Sequence, residues 1–106
     1  MTSRQTLPNR RSCETVEFDH EGIRYVASIG RFPHSGAISE IFMHGGKTGS
    51  AAEIAAHDGA IILSLALQFG TPINAIRHAL MKLHDGSAAG PIGKLLDILD
   101  TEQYAR

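Results

Sequence analysis

The sequence predicts an α+β fold: a three-stranded antiparallel meander followed by three helices packed on one face. Three observations predict it. Residues 14–44 alternate polar and apolar side chains with a period of two, residues 50–101 carry helical periods, and the strands all precede the helices. Segregated strands and helices with short links between the strands favour an antiparallel sheet over βαβ units.

The first strand is marked by Val16 and Phe18 alternating with Glu17 and Asp19, and His20-Glu21-Gly22 supplies a turn. In the second, Ile23, Tyr25, Ala27 and Ile29 alternate with Arg24, Val26 and Ser28. Phe32-Pro33-His34-Ser35-Gly36 turns the chain again, and a third strand runs from Ala37 to Met43. Its alternation places Ile38 and Phe42 on one side, Ile41 and Met43 on the other.

The helices begin after a glycine-rich stretch. Ser50 is a good N-cap and Glu53 stands at capping-box spacing, so a helix is expected over 50–69, closed by Gly70. Its second half, Ala60 to Leu67, is apolar on nearly every side and is expected to be the most buried element. Gly59 inside this helix implies close packing, with the sheet as the expected neighbour. Thr71 as N-cap and Pro72 at the first position open a second helix, expected over 72–83 on the stripe Ile73, Ile76, Leu80 and Leu83. Pro91 opens a third, over 91–101, with Ile92, Leu95, Leu96 and Leu99 on one face. The expected core includes Phe18, Tyr25, Ile41, Ile61, Leu65, Leu80 and Leu95. Residues 1–13 read as a tail or lead-in strand, 14–101 as one domain, and 102–106 as a second tail.

At 106 residues, 42% hydrophobic and 20% charged, the chain has the make-up of one globular domain. A net charge of −1 gives no electrostatic case for nucleic acid or an acidic membrane. The short basic cluster Arg4, Arg10 and Arg11 lies in the lead-in. The single cysteine, Cys13, cannot form an intramolecular disulfide and gives no case for an oxidising compartment; the N-terminus lacks the apolar stretch of a signal peptide, and the longest apolar run, Ala60 to Leu67, is too short for a membrane span. A cytoplasmic setting is expected.

The stretch His44, Gly45, Gly46, Lys47, Thr48, Gly49 and Ser50 is the candidate binding site. Glycines let backbone N–H groups converge into an anion nest, a helix start adds partial positive charge, and Lys47 adds a full one. A phosphate or carboxylate fits that chemistry. The stretch lacks the first glycine of a P-loop, having Ile41 in its place. The competing reading is a strand–helix turn with a solvated lysine, and both stay open. His20, His34, His44, His57, His78 and His84 show no metal-ligand spacing, so no metal is expected. Cys13 has no base placed beside it by any motif, and His57-Asp58 reads as two polar residues on a helix flank.

Several segments taken together resemble a known family: Gly22-Ile23-Arg24-Tyr25, Glu40-Ile41-Phe42, Gly46-Lys47-Thr48-Gly49-Ser50, and Leu63-Ser64-Leu65-Ala66-Leu67-Gln68-Phe69-Gly70-Thr71-Pro72. In this order they look like the TSCPD domain, with an opening at Leu7-Pro8-Asn9-Arg10-Arg11 similar to its N-terminal edge. That domain is a C-terminal accessory region of adenosylcobalamin-dependent class II ribonucleotide reductases and also occurs as small free-standing proteins. The resemblance covers about residues 7 to 101 and departs at the motif that names the family. Ser87-Ala88-Ala89-Gly90-Pro91 stands in its place, without the cysteine. The resemblance implies an accessory or regulatory module in ribonucleotide reduction and deoxynucleotide supply. Its expected partner is a reductase or another protein. It needs no cofactor of its own, since adenosylcobalamin belongs to the full-length enzymes. One cysteine cannot supply the thiyl radical and reducing pair of a reductase, so no activity is expected from the chain alone. Two other readings are an independent phosphate- or nucleotide-binding module, with Tyr25 or Phe42 as a wall for a base, and a homo-oligomeric assembly protein.

Overall fold

The computed structural model describes residues 3–7 and 13–101. Three strands, β1 (Cys13–His20), β2 (Ile23–Arg31) and β3 (Ile38–Gly45), form one antiparallel sheet in the order β1-β2-β3. Three helices follow: α1 (Ala51–Gln68), α2 (Ile73–Ala79) and α3 (Pro91–Thr101). The α+β meander-then-helices architecture is the one the sequence predicts. Arg10, Arg11, most of the family-like opening and the expected tail 102–106 lie outside the described residues.

The first hairpin turns on two residues, since His20 pairs with Ile23. Glu21 (φ 51°) and Gly22 (φ 77°) both take positive φ, the geometry that fits a tight hairpin to the twist of its strands. The inner face of the sheet carries Val16, Phe18, Tyr25, Ala27, Ile29, Ile41 and Met43, all buried. Phe18 and Tyr25 pair across the strands and stack, ring centroids 5.6 Å apart.

β3 departs from simple alternation. The register slips between Gly30 and Arg31, so Gly30 faces Glu40 while Arg31 faces Ile38. Ser39 is the extra residue. The slip turns Ile38 into the core, away from the side of Phe42 on which strict alternation placed it. Ser39 itself is fully buried and its hydroxyl has no hydrogen-bond partner.

α1 packs alongside β3 and seals its outer edge. Ser64 Oγ accepts from the Ile41 N–H at 2.8 Å and lies 2.9 Å from the Ile41 carbonyl oxygen. Gln68 Nε2 donates to the Ser39 carbonyl at 3.1 Å. The buried face of α1 is therefore Ala56, Ala60, Leu63, Ser64, Leu67 and Gln68. Two expected core residues fall on the other side: Ile61 is 40% exposed and Leu65 38%. A helix lying along a sheet edge buries one stripe, and an apolar sequence on every side does not change that geometry. Gly59 packs against α3, not the sheet: a Cβ there would meet Ile92 Cγ1 at 3.3 Å.

α2 is shorter than the 72–83 expected. Pro72 is its N-cap residue and makes no side-chain cap, so Thr71 does not cap it, and Leu80 ends it in extended conformation. Beyond Leu80 a tight turn forms, with Lys82 bridging Ala88 and the Leu83 N–H donating to the Ser87 carbonyl at 2.8 Å. Lys82 Nζ also takes the carbonyls of Arg77 and Leu80, at 3.0 and 3.1 Å, which closes the helix. Leu80 is half-buried against the core and Leu83 is 49% exposed. α3 spans the expected residues, and its Leu95, Leu96 and Leu99 are almost wholly buried. No helix among the described residues is long and apolar enough to cross a membrane.

Candidate functional site

The glycine loop is held in place from both ends. Gly45 pairs with Tyr25, and a Cβ on it would stand 2.5 Å from the Arg24 carbonyl oxygen, so only glycine fits. Gly46 and Gly49 both take φ 80°, the curl expected of a nest. Ser50 caps α1: its Oγ accepts from the Glu53 N–H at 3.2 Å. Its own N–H donates to the Lys47 carbonyl at 2.9 Å.

The decisive contact is made by Glu53. Its Oε1 accepts from the Gly49 N–H at 2.7 Å. Of the four N–H groups from 47 to 50, two are therefore engaged within the protein, and the carboxylate stands where an anion would bind. Its charge also offsets that of Lys47. Lys47 and Thr48 are exposed.

No hydrogen bond joins the His44 side chain to the loop among the described residues. His44 lines a shallow depression of about 290 Å³ with Glu53, Ile54, His57 and Asp58. His57 and Asp58, neighbours in sequence, do meet: Nδ1 and Oδ1 are 3.1 Å apart, both side chains largely exposed. The other histidines are dispersed. His20 Nε2 lies 3.1 Å from the Ala89 carbonyl, His34 tilts against Phe32, and His78 touches Arg77. Among the described residues no three His, Cys, Asp or Glu side chains are grouped to hold a metal. Cys13 is exposed at the start of β1, opposite Gly30. Neither aromatic serves the loop as a wall: Tyr25 is 2% exposed, and Phe42 faces elsewhere.

Phe42 belongs to a groove that the sequence reading missed. The lead-in docks on the end of α1, with the Gln5 N–H donating to the Gln68 carbonyl at 2.8 Å and Arg4 Nε to Gln68 Oε1 at 2.7 Å. Between this segment, β3 and α1 lies an open groove of about 360 Å³ walled by Leu7, Phe42, Ile61 and Leu65, with Arg4 and Glu40 as its charged groups. Phe42 is 53% exposed. Glu40, nearly buried, leans over Gly30, whose missing Cβ would stand 2.7 Å from the carboxylate. The available signal was the second apolar stripe of α1, which had no buried counterpart to meet.

One carboxylate is electrostatically distinct. Asp85 sits below its ordinary value of 3.8, first because the Ser87 hydroxyl bonds it at 2.6 Å and then because the Ser87 N–H does at 2.9 Å. It lies in the turn after α2 and orders that turn.

Comparison with family profiles, curated proteins and solved structures gave no match.

Proposed function

We propose that the protein is a non-catalytic accessory module that binds a protein partner, with ribonucleotide reduction and deoxynucleotide supply in the cytoplasm as its setting. The observation that carries the binding role is the groove of Leu7, Phe42, Ile61 and Leu65. Apolar side chains half open to water beside charged groups, here Arg4 and Glu40, are the make-up of a recognition surface. The link to a reductase rests on the ordered TSCPD-like segments, two of which supply groove residues: Phe42 from the β3 segment and Leu65 from the α1 segment.

The anion reading of the loop is weakened by Glu53, which takes the Gly49 N–H itself. The loop serves first as the cap that fixes α1 against β3.

The test is co-sedimentation of the purified chain with an adenosylcobalamin-dependent reductase from the same cells, with turnover measured in parallel. A complex that forms with the native chain and is lost on Phe42→Asp with Leu65→Asp supports the proposal. Absence of a complex, together with unchanged turnover, removes the reductase as partner. Deoxynucleotide formed by the chain alone contradicts the non-catalytic reading.

A further inference from the structure

The two edges of the sheet are treated differently. α1 closes the β3 edge through Ser64 and Gln68. Because both backbone groups of Ile41 turn to Ser64, Ile41 is not hydrogen-bonded to Ile29, and Ile29 turns its own groups toward Glu14 of β1. The alternation then runs the length of β1. Glu14, Val16, Phe18 and His20 bond to β2, while the backbone groups of Cys13, Thr15, Glu17 and Asp19 point away from the sheet. Among the described residues no backbone group pairs with this edge. The four side chains there are exposed as well.

Edges left open are normally blunted by proline, a bulge, brevity or charged side chains, lysine above all. β1 has eight residues in unbroken register with β2, from Cys13 opposite Gly30 to His20 opposite Ile23, and contains no proline, glycine or lysine. Its charge is one-sided. Arg24 serves both Glu17 and Asp19, at 3.4 and 3.2 Å, and Arg31 serves Glu14 at 2.7 Å. With Glu21 in the adjoining turn, the described residues here set four carboxylates against two guanidiniums. A second copy of the same strand would bring like charges together across the new ladder, which opposes self-pairing.

We infer that the outer edge of β1 accepts an extended, lysine- or arginine-bearing segment of a partner protein as a fourth strand. Main-chain bonds to Thr15 and Glu17 would supply the register, and alternate cationic side chains would meet Glu17 and Asp19. The surface is separate from the Phe42 groove and stands whether or not the partner is a reductase.

The experiment uses the full, isotope-labelled chain and two probes as long as β1, a peptide of alternating lysine and valine and its glutamate–valine counterpart. The lysine peptide is expected to shift the amide resonances of Cys13, Thr15, Glu17 and Asp19, and the glutamate peptide to leave them in place. Thr15→Pro removes an outward N–H without touching the ladder to β2, and is expected to weaken binding about tenfold. Retained cross-strand signals between Val16 and Ala27 show that this variant is folded. Glu17→Lys with Asp19→Lys is expected to exchange the preference between probes. The inference is overturned by absence of shifts at millimolar peptide, by binding that Thr15→Pro leaves intact, or by dimerisation of the chain through this edge.

Discussion

Ser64 holds both backbone groups of Ile41, accepting its N–H at 2.8 Å and lying 2.9 Å from its carbonyl oxygen. The Ala60 carbonyl is equally near the same hydroxyl, so one proton serves two acceptors. A side chain 7% exposed thus replaces a fourth strand at this point of the sheet.

Ser64→Ala is expected to cost about 1–3 kcal/mol, because it leaves a buried donor and acceptor of Ile41 unmet. The reading is the urea midpoint, falling with an unchanged slope. A variant as stable as the native chain would mean that α1 is not fastened to β3 through this residue.

Leu65 and Leu95 test which side of the helices is inside. Leu95→Ala is expected to lose about 2–5 kcal/mol, since Leu95 has no exposed surface. Leu65→Ala, at 38% exposure, is expected to lose about 1 kcal/mol or less. Equal thermal shifts for the two would return Leu65 to the core.

Glu53 holds the Gly49 N–H that a phosphate in the nest would need. In the native chain the Gly49 amide resonance is expected to stay fixed as phosphate is added. In Glu53→Ala it should move, and Lys47→Ala in that background should abolish the response. A native amide that follows phosphate with the same midpoint as Glu53→Ala would show that the carboxylate does not occupy the nest.

Glu21 carries positive φ where asparagine is the favoured residue of a two-residue hairpin. Glu21→Asn is expected to raise stability by about 0.5–1 kcal/mol, part of the left-handed backbone penalty of about 1–2 kcal/mol for most side chains. Calorimetry reads the change as a higher Tm, and a lower one would contradict the turn geometry.

The sequence showed the strands because each carries one apolar face, and their period survives any detail of packing. It showed the start of α1 because Ser50 and Glu53 form a local cap that needs no distant contact. The buried side of α1 was not legible. Ala60 to Leu67 is apolar all round, and only the position of the helix along the β3 edge selects Leu63 and Leu67 over Ile61 and Leu65. The end of α2 was hidden for a similar reason: Leu80 and Leu83 continue a helical spacing that Lys82 and the 83–87 turn interrupt. In the candidate site, the curl of the loop was legible from its glycines, whereas the Phe42 groove needs the lead-in to meet α1, 64 residues away in sequence at the Arg4–Gln68 bond.

The slip at Ser39 gives β3 two reading frames. From Glu40 to Gly45 the strand keeps step with β2, and at Ile38 the parity has changed. Cutting Ser39 out would close the ladder into a regular one, with Ile38 still inward, at the loss of the carbonyl held by Gln68. Cutting out Ile41 or Phe42 instead would also remove the extra residue, but it would carry Glu40 into the inward place opposite Ile29. A single-residue deletion is thus absorbed at one station of β3 and ruinous two or three steps later, although the amino acids at all of these stations look equally at home in a strand.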